Sequence, residues 1–154
     1  MKFHAAGALF FIGLFSSQVF AESSLAQEIV AQHGKNGGST FLLKDRANQV
    51  GRSFFAVSPY EEREVRVRRL TPQAVDRFIE VNRSLLMRPG HAIGTWYDPD
   101  SQNAVIDVVR LEHRDEAIES ALVHGQASIY DLSRREEIAL DPPFLCSEFG
   151  RRVR

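Results

Sequence analysis

Four side chains near the middle of the chain have the types that acid–base chemistry requires. Arg110, Glu112 and His113 stand together at the end of a strand-like run, and His91 precedes it. Phosphodiester cleavage needs a base for a hydroxyl proton, an acid for the leaving oxygen and a cation for the developing charge. These four are therefore candidate catalytic residues, although residues at a strand-to-helix junction are commonly solvated and His113 also suits a helix start.

A second polar group falls at positions predicted to be buried. Asp107 and Asp131 share strand faces with apolar residues, and a buried carboxylate needs hydrogen-bond partners, which Gln126 and Thr95 could supply. We favour a structural polar network of Asp107, Gln126 and Asp131 over a ligand-binding site. Trp96 combines a large apolar body with one donor, which suits the core or a recognition pocket, and we favour the core.

The spacing of histidine and cysteine argues against a metal site. No two histidines after residue 21 stand three or four apart, and Cys146 is the only cysteine. The serines lack the Gly-x-Ser-x-Gly nucleophile motif, and the glycines before Ser39 lack the lysine of a phosphate-binding loop. We expect no metal ion and no cofactor.

The elements that must position these residues lie mainly in residues 91–132. Strand-like runs at 92–97 and 104–111 flank a link rich in turn-forming residues, which predicts an antiparallel hairpin. Helical spacing predicts a helix over 114–124, followed by a third strand-like run at 127–132. Because the intervening segment is long enough for a helical crossover, we expect this last strand to lie parallel to its neighbour at 104–111.

Further elements precede this stretch. A threonine cap, a proline and an apolar stripe predict a helix over 72–87. The runs at 40–43 and 53–58 predict a second hairpin. Residues 61–69 are predicted to form an exposed strand or a connector. Residues 23–33 are predicted to form a short helix that packs on the domain or tethers it. The fold class is therefore α+β, with a mixed, mainly antiparallel sheet of about four to five strands and two packed helices.

Residues 1–21 are typical of a secretory signal peptide, with one lysine, an apolar run and small or apolar residues before Ala21. The run is too short for a membrane-spanning anchor. We expect export, to the periplasm or outside the cell. The remaining divisions are an N-terminal helix or linker at 22–36, a single domain at 37–140 and a tail at 141–154.

The charge of the chain is nearly balanced. The 19 lysines and arginines stand against 20 aspartates and glutamates, which argues against binding nucleic acid by bulk electrostatics. A single cysteine cannot form an internal disulfide. Cys146 is either a small buried apolar residue or a free thiol available for an intermolecular bridge.

Several short motifs occur in order between residues 37 and 138. They are Gly37-Gly38-Ser39-Thr40, Phe55-Ala56-Val57-Ser58-Pro59-Tyr60, Glu62-Arg63-Glu64, Asn82-Arg83-Ser84-Leu85-Leu86, Gly94-Thr95-Trp96, Ile106-Asp107-Val108, Gln126 and Asp131-Leu132. In this order they resemble a small domain of phage and mobile-element proteins and of polymorphic toxins, some of which are grouped with the barnase/EndoU/colicin/RelE-like ribonucleases. The resemblance implies a fold and a mobile-element context. It departs from the pattern at Gly125 and at Gln102-Asn103, and it includes no catalytic signature.

We therefore expect an exported, single-domain binding or accessory protein of mobile-element type with a protein partner. One alternative is a metal-independent, barnase-like ribonuclease toxin, which would bind RNA. Another is a periplasmic immunity protein that inhibits a toxin. A cleft in which His, Glu and Arg converge would favour the enzyme, whereas an apolar groove without titratable groups would favour binding.

Overall fold

The structure is a computed structural model that describes residues 24–140. The predicted signal peptide, the predicted tail and Cys146 lie outside the described residues. The helices are α1 (Leu25–Asn36), α2 (Pro72–Leu86) and α3 (Arg114–Val123), with a 3-10 turn at Glu61–Arg63. The strands are β1 (Gly38–Leu42), β2 (Ala47–Asn48), β3 (Phe55–Val57), β4 (Val65–Val67), β5 (His91–Asp98), β6 (Asn103–Glu112), β7 (Ser128–Asp131) and β8 (Glu136–Ala139).

All eight described strands belong to one sheet in which neighbours are antiparallel. The strand order is β2-β1-β5-β6-β3-β7-β8, and β4 also pairs with β6. The hairpin of β5 and β6 lies at its centre, with His91 opposite Arg110 at one end and Asp98 opposite Asn103 at the other. The predicted α+β class and this hairpin are confirmed, but the sheet has more strands than the four to five predicted.

Two predicted strand pairings are wrong. β7 is not a parallel neighbour of β6, because β3 lies between them and is antiparallel to both, so the sheet is not mixed. β1 and β3 do not form a hairpin, since β1 pairs with β2 and β5. Alternating apolar residues identify a strand and its buried face, but they do not identify the strand that pairs with it.

Local sequence signals begin and end the helices. The Ser24 hydroxyl accepts the Gln27 N–H at 3.2 Å, and the Gln27 side chain accepts the Ser24 N–H at 2.8 Å, which is a capping box. Gly37 ends α1 with a φ of 74°. Thr71 caps α2 by accepting the Ala74 N–H at 3.2 Å. None of the helices within residues 24–140 has the length and hydropathy of a membrane span.

Residues 24–140 contain three packed helices, whereas two were predicted. α1 packs on the sheet beside α2 through Ala26 and Ile29, whose side chains have no exposed surface. α2 contributes Val75 and Phe78 to the same apolar cluster. The short helical stripe before residue 34 is therefore part of the core and not a loose tether.

All three helices cover the same face of the sheet. Ile106, Val108 and Arg110 share one face of β6 because side chains alternate along a strand. Ile106 and Val108 pack with α1 and α2, while Val57, which lies opposite Arg110, packs with α3. Asp107 lies on the other face, and no described helix covers that face.

The sheet curls toward this second face. Residues 49–54 connect β2 at one edge to β3, four strand positions away. In a flat sheet that span is about 19 Å, close to the reach of six extended residues. Within this connection, the Gly51 N–H donates to the Leu132 carbonyl at 2.7 Å, just beyond β7. The connection therefore joins the two sides of the sheet and helps to enclose a pocket.

We expect Ile106→Ala to reduce the free energy of unfolding by about 3 kcal/mol, because Ile106 is fully buried between the sheet and two helices. Val81→Ala is the control, because Val81 lies on the outer side of α2 with 66% of its surface exposed. That variant should change stability by no more than about 0.5 kcal/mol. Urea unfolding followed by circular dichroism measures both, and equal losses would contradict the described core.

Candidate functional site

The second face of the sheet contains a pocket of about 480 Å³. Strands from both halves of the sheet contribute to its lining, from β1 on one side to β8 on the other. Its lining includes Thr40, Gly94, Trp96, Asp107, Tyr130 and Glu137. A cavity of this volume falls in the range of small-ligand sites.

An interruption in the ladder along β6 helps to form the pocket. β3 pairs with β6 as far as Val57 opposite Arg110, and β4 resumes pairing at Val65 opposite Ile106. Between these two pairs, the segment from β3 to β4 contains seven residues, 58–64, whereas β6 contains only three, 107–109. The extra residues form an excursion from the sheet that includes the 3-10 turn. Ser58, Glu61 and Glu64 of this excursion line the pocket beside Asp107.

A glycine faces Asp107 from the neighbouring strand. Gly94 is directly opposite Asp107 in the β5–β6 register, and Thr40 is opposite Gly94 on β1. A Cβ atom on Gly94 would lie 2.8 Å from Cγ1 of Val109, which is too close for a real contact. A side chain at this position would have to displace Val109, and glycine leaves the residue paired with Asp107 without a side chain that could satisfy its carboxyl.

Asp107 is a buried acid with one unpaired oxygen. Its side chain has no exposed surface, Oδ1 accepts the Val108 N–H at 2.6 Å, and Oδ2 has no hydrogen-bond partner. Burial raises the pKa of Asp107 to about 6, against the lowering effect of Ser58 and the Val108 N–H, while the charges of Glu64 and Glu62 raise it further. The nearby Ser58 hydroxyl does not meet the geometry of a hydrogen bond to Oδ2.

The charged side chains in the pocket lining are mostly acidic. Glu61, Glu64, Asp107 and Glu137 are accompanied by a single arginine, Arg135. Glu137 accepts a hydrogen bond from Ser128 Oγ. Glu64 pairs with Arg66 at 2.7 Å, and Arg66 also bonds Asp98 near the hairpin turn. The pocket therefore has an excess of negative charge over positive.

Two aromatic side chains belong to the pocket face. Trp96, for which a core position was favoured, is only partly buried and lies opposite Val105, on the same face as Asp107. Tyr130 is opposite Ala56 in the ladder and is 40% exposed. Burial raises the pKa of Tyr130. Both rings offer apolar area next to the acidic side chains.

The four candidate catalytic residues lie outside this pocket. Three of them share the helix-covered face: His91 lies opposite Arg110, and Arg110 pairs with Glu112 at 2.6 Å. Glu112 is 6% exposed, and its Oε2 has no partner. The fourth, His113, is exposed before α3, where its ring contacts that of Phe54 at a centroid distance of 5.6 Å. The sequence therefore places these residues near one another, but the pocket is elsewhere.

Structural contacts occupy both ring nitrogens of His91. Nε2 lies 2.8 Å from the Tyr60 hydroxyl, and Nδ1 lies 3.0 Å from the Pro89 carbonyl. Because a carbonyl only accepts, Nδ1 carries the proton and Nε2 accepts from Tyr60. A base for a substrate hydroxyl would have to release the Tyr60 bond first.

The predicted polar residues are not joined in one network. Asp131 Oδ1 accepts from the Ser133 N–H at 2.8 Å and hydroxyl at 2.7 Å and from the Arg134 N–H at 3.0 Å, and so holds the β7–β8 turn. Burial raises the pKa of Asp131, but these bonds outweigh it and the pKa is lowered. Gln126 is partly buried in the pocket lining. Of the group, Asp107, Gln126 and Trp96 belong to the pocket.

Thr95 also makes contacts other than those predicted. Its hydroxyl lies 2.8 Å from Ser39 Oγ and 3.1 Å from His33 Nδ1, which ties β5 to β1 and α1. Burial lowers the pKa of His33. Thr95 therefore does not supply a partner to Asp107, and Ser58 is the side chain whose hydroxyl acts on its carboxyl.

Sequence patterns did not identify several lining residues. Gly94 and Thr40 appeared only as parts of short motifs, and Glu61 and Glu64 fell in the segment predicted to be an exposed strand or connector. The signal that was available is the position of Gly94 opposite Asp107 in the predicted hairpin. No simple pattern places residues 61–64 beside that pair.

No protein-family model, curated protein or solved structure matches this chain. The resemblance to phage, mobile-element and toxin domains therefore stays a prediction. Function must be argued from the geometry and chemistry of the pocket.

We expect the stability contributed by Asp107 to fall as the pH rises. The folded-state pKa of about 6 exceeds the ordinary value of 3.8, so the folded protein binds the proton more tightly than the unfolded chain. The stabilising contribution of Asp107 is fully present below about pH 4 and is lost as the pH rises through about 6. The loss is on the order of 3 kcal/mol in the free energy of unfolding.

Urea unfolding between pH 4 and 7 measures this effect as the difference between wild type and Asp107→Asn. That difference should shift in favour of the variant by on the order of 3 kcal/mol as the pH rises. Asp76→Asn, at an exposed position on α2, is the control substitution. A pH-independent difference for Asp107→Asn would contradict the raised pKa.

Proposed function

We propose that this chain is an exported, single-domain binding or accessory protein of mobile-element type, and that its pocket engages a protein partner. The face of the sheet under the helices is committed to the core. The other face offers a concave surface with polar, acidic and aromatic side chains in reach of a ligand. One face of the sheet is covered by helices and the other is open, and this combination suits recognition of a ligand.

The single observation that carries the proposal is the unpaired oxygen of Asp107. A buried polar atom without a partner costs on the order of 1–3 kcal/mol. Glu112 Oε2 is also without a partner, but Glu112 pairs with Arg110 outside the pocket, whereas Asp107 lines the pocket. A ligand that enters the pocket with an N–H or O–H donor would remove that cost and would gain affinity from doing so.

The ribonuclease alternative has weaker support than binding. His91, Arg110 and Glu112 make contacts with one another or with neighbouring protein groups outside the pocket. The pocket itself is lined mostly by acids, which repel a polyanion such as RNA. The pocket lining contains one arginine, Arg135, and no histidine, so the sequence-predicted catalytic set is not brought together there.

The immunity-protein alternative is favoured by one observation, the acidic lining. Proteins that bind nucleic acids present basic surfaces, and an acidic face complements such a surface. The basic surface of a nuclease toxin would therefore suit this pocket. In that case the partner is the toxin, and the binding face is the same.

Site-specific photo-crosslinking tests the proposal. A photoreactive phenylalanine analogue replaces Tyr130 in the pocket lining, and the matched control carries it at Val81 on the outer side of α2. The full chain is expressed in its host, and crosslinked products are isolated from the exported fraction and identified by mass spectrometry.

We expect one defined protein to crosslink at Tyr130 and not at Val81. The crosslink should weaken at least tenfold when Asp107→Asn is combined with the probe. Equal crosslinking at both positions, or none at Tyr130, would contradict a partner at the pocket. Recovery of the chain only from the cytoplasm, with residues 1–21 retained, would contradict export.

A further inference from the structure

The pocket combines three features that favour a cation. An acceptor oxygen lies unpaired at its floor, acidic side chains outnumber basic ones in its lining, and aromatic rings lie on the same face. A neutral hydrogen-bond donor would use only the first feature. A positively charged nitrogen group uses all three, because it donates to carboxylates and is attracted to the faces of aromatic rings.

We propose that the pocket binds an arginine side chain of the partner protein, with a guanidinium N–H donating to Oδ2 of Asp107. This inference rests on the proposed function and specifies the chemistry that the site recognises. Oδ2 has essentially no water-accessible surface, so a guanidinium in the pocket reaches it only when the side chains that cover it move aside.

Guanidinium suits this site better than ammonium for geometric reasons. It is planar and presents five N–H donors in a fixed fork, so that one group can bond more than one acceptor. Asp107 and Glu64 both line the pocket, and Glu64 lies close enough for its charge to raise the pKa of Asp107. The planar group also stacks on an aromatic ring, and Trp96 presents one on this face.

The arrangement of strands leaves room for the side chain to enter. Val109 packs over Gly94, so the room for the side chain is the pocket itself, whose volume of about 480 Å³ exceeds what one arginine side chain requires. The aliphatic part of an arginine can lie against apolar surface while its head reaches the acceptor. Trp96 and Val109 supply such surface beside Asp107.

Three segments contribute charged or titratable groups around Asp107. The 58–64 excursion contributes Glu61, Glu62 and Glu64, β4 contributes Arg66 through its pair with Glu64, and the β7–β8 hairpin contributes Tyr130, Arg135 and Glu137. The lining residues from β1 and from the centre of β5, Thr40 and Gly94, carry no charge. Arginine binding should therefore follow the ionisation of Asp107.

Binding of small arginine analogues to the full mature chain tests this inference. N-acetyl-arginine-amide has a neutral backbone, so that only its side chain is charged. N-acetyl-citrulline-amide is the matched control, because citrulline has nearly the same shape without the charge. N-acetyl-lysine-amide separates guanidinium from ammonium. Titrations are followed by ¹⁵N chemical shifts, which also locate the site.

We expect the arginine compound to bind at pH 7 at least tenfold more tightly than the citrulline compound. Shifts should concentrate on Gly94, Asp107 and the residues of the excursion. Affinity should fall about tenfold between pH 7 and pH 5, because most of the Asp107 carboxyl becomes protonated over that interval. Asp107→Asn should bind at least tenfold more weakly, whereas Asp76→Asn should bind like wild type.

Several outcomes would overturn the inference. These are equal binding of citrulline and arginine, tighter binding of lysine, an affinity that does not depend on pH, and shifts confined to the helix-covered face. The wild-type measurements decide these points even if Asp107→Asn does not fold. If the analogues fail while Tyr130 still crosslinks a partner, the arginine inference is wrong but the proposed function stands. If the arginine compound binds but no partner crosslinks at Tyr130, the preference of the pocket for a guanidinium stands and the protein partner is wrong.

Discussion

The alternation of side chains along β6 gives the sheet two unlike faces, and the rest of the structure depends on that difference. Ile106 and Val108 point toward the helices and are fully buried. Asp107, between them, points away from the helices, toward a face lined mainly by strands and the 58–64 excursion. The alternation of side chains that directs Ile106 and Val108 into the core therefore also places the Asp107 carboxyl at the floor of the pocket.

The surroundings of Asp107 supply fewer partners than an ordinary core would. The residue opposite is Gly94, the pairing of β6 with β3 and β4 is interrupted beside it, and the excursion brings like charges near it. A buried acid that serves only the fold is normally paired, because an unpaired one lowers stability. Tolerance of that cost is characteristic of functional sites, where local stability is given up for binding or chemistry.

The sequence predicted those parts of the fold that depend on residues close together in the chain. The caps and stripe of α2, the extent of α3 and the β5–β6 hairpin all follow from short-range patterns. The insertion of β3 between β6 and β7 does not, because pairing between distant strands depends on how the whole sheet curls. The same limit applies to the site. Asp107 was recognisable as a buried acid, but Glu64 became relevant only once the excursion placed it beside that acid.

The most direct test of this account is the ionisation of Asp107 itself. Carbon-13 labelling of aspartate carboxyls, with Asp107→Asn to assign the signal, allows the chemical shift to be followed by NMR from pH 3 to 8. The account predicts a midpoint near the pKa of about 6 that burial imposes. A midpoint near the ordinary value of about 3.9 would show a hydrated or well-paired carboxyl, and would contradict an unpaired acid at the floor of the pocket.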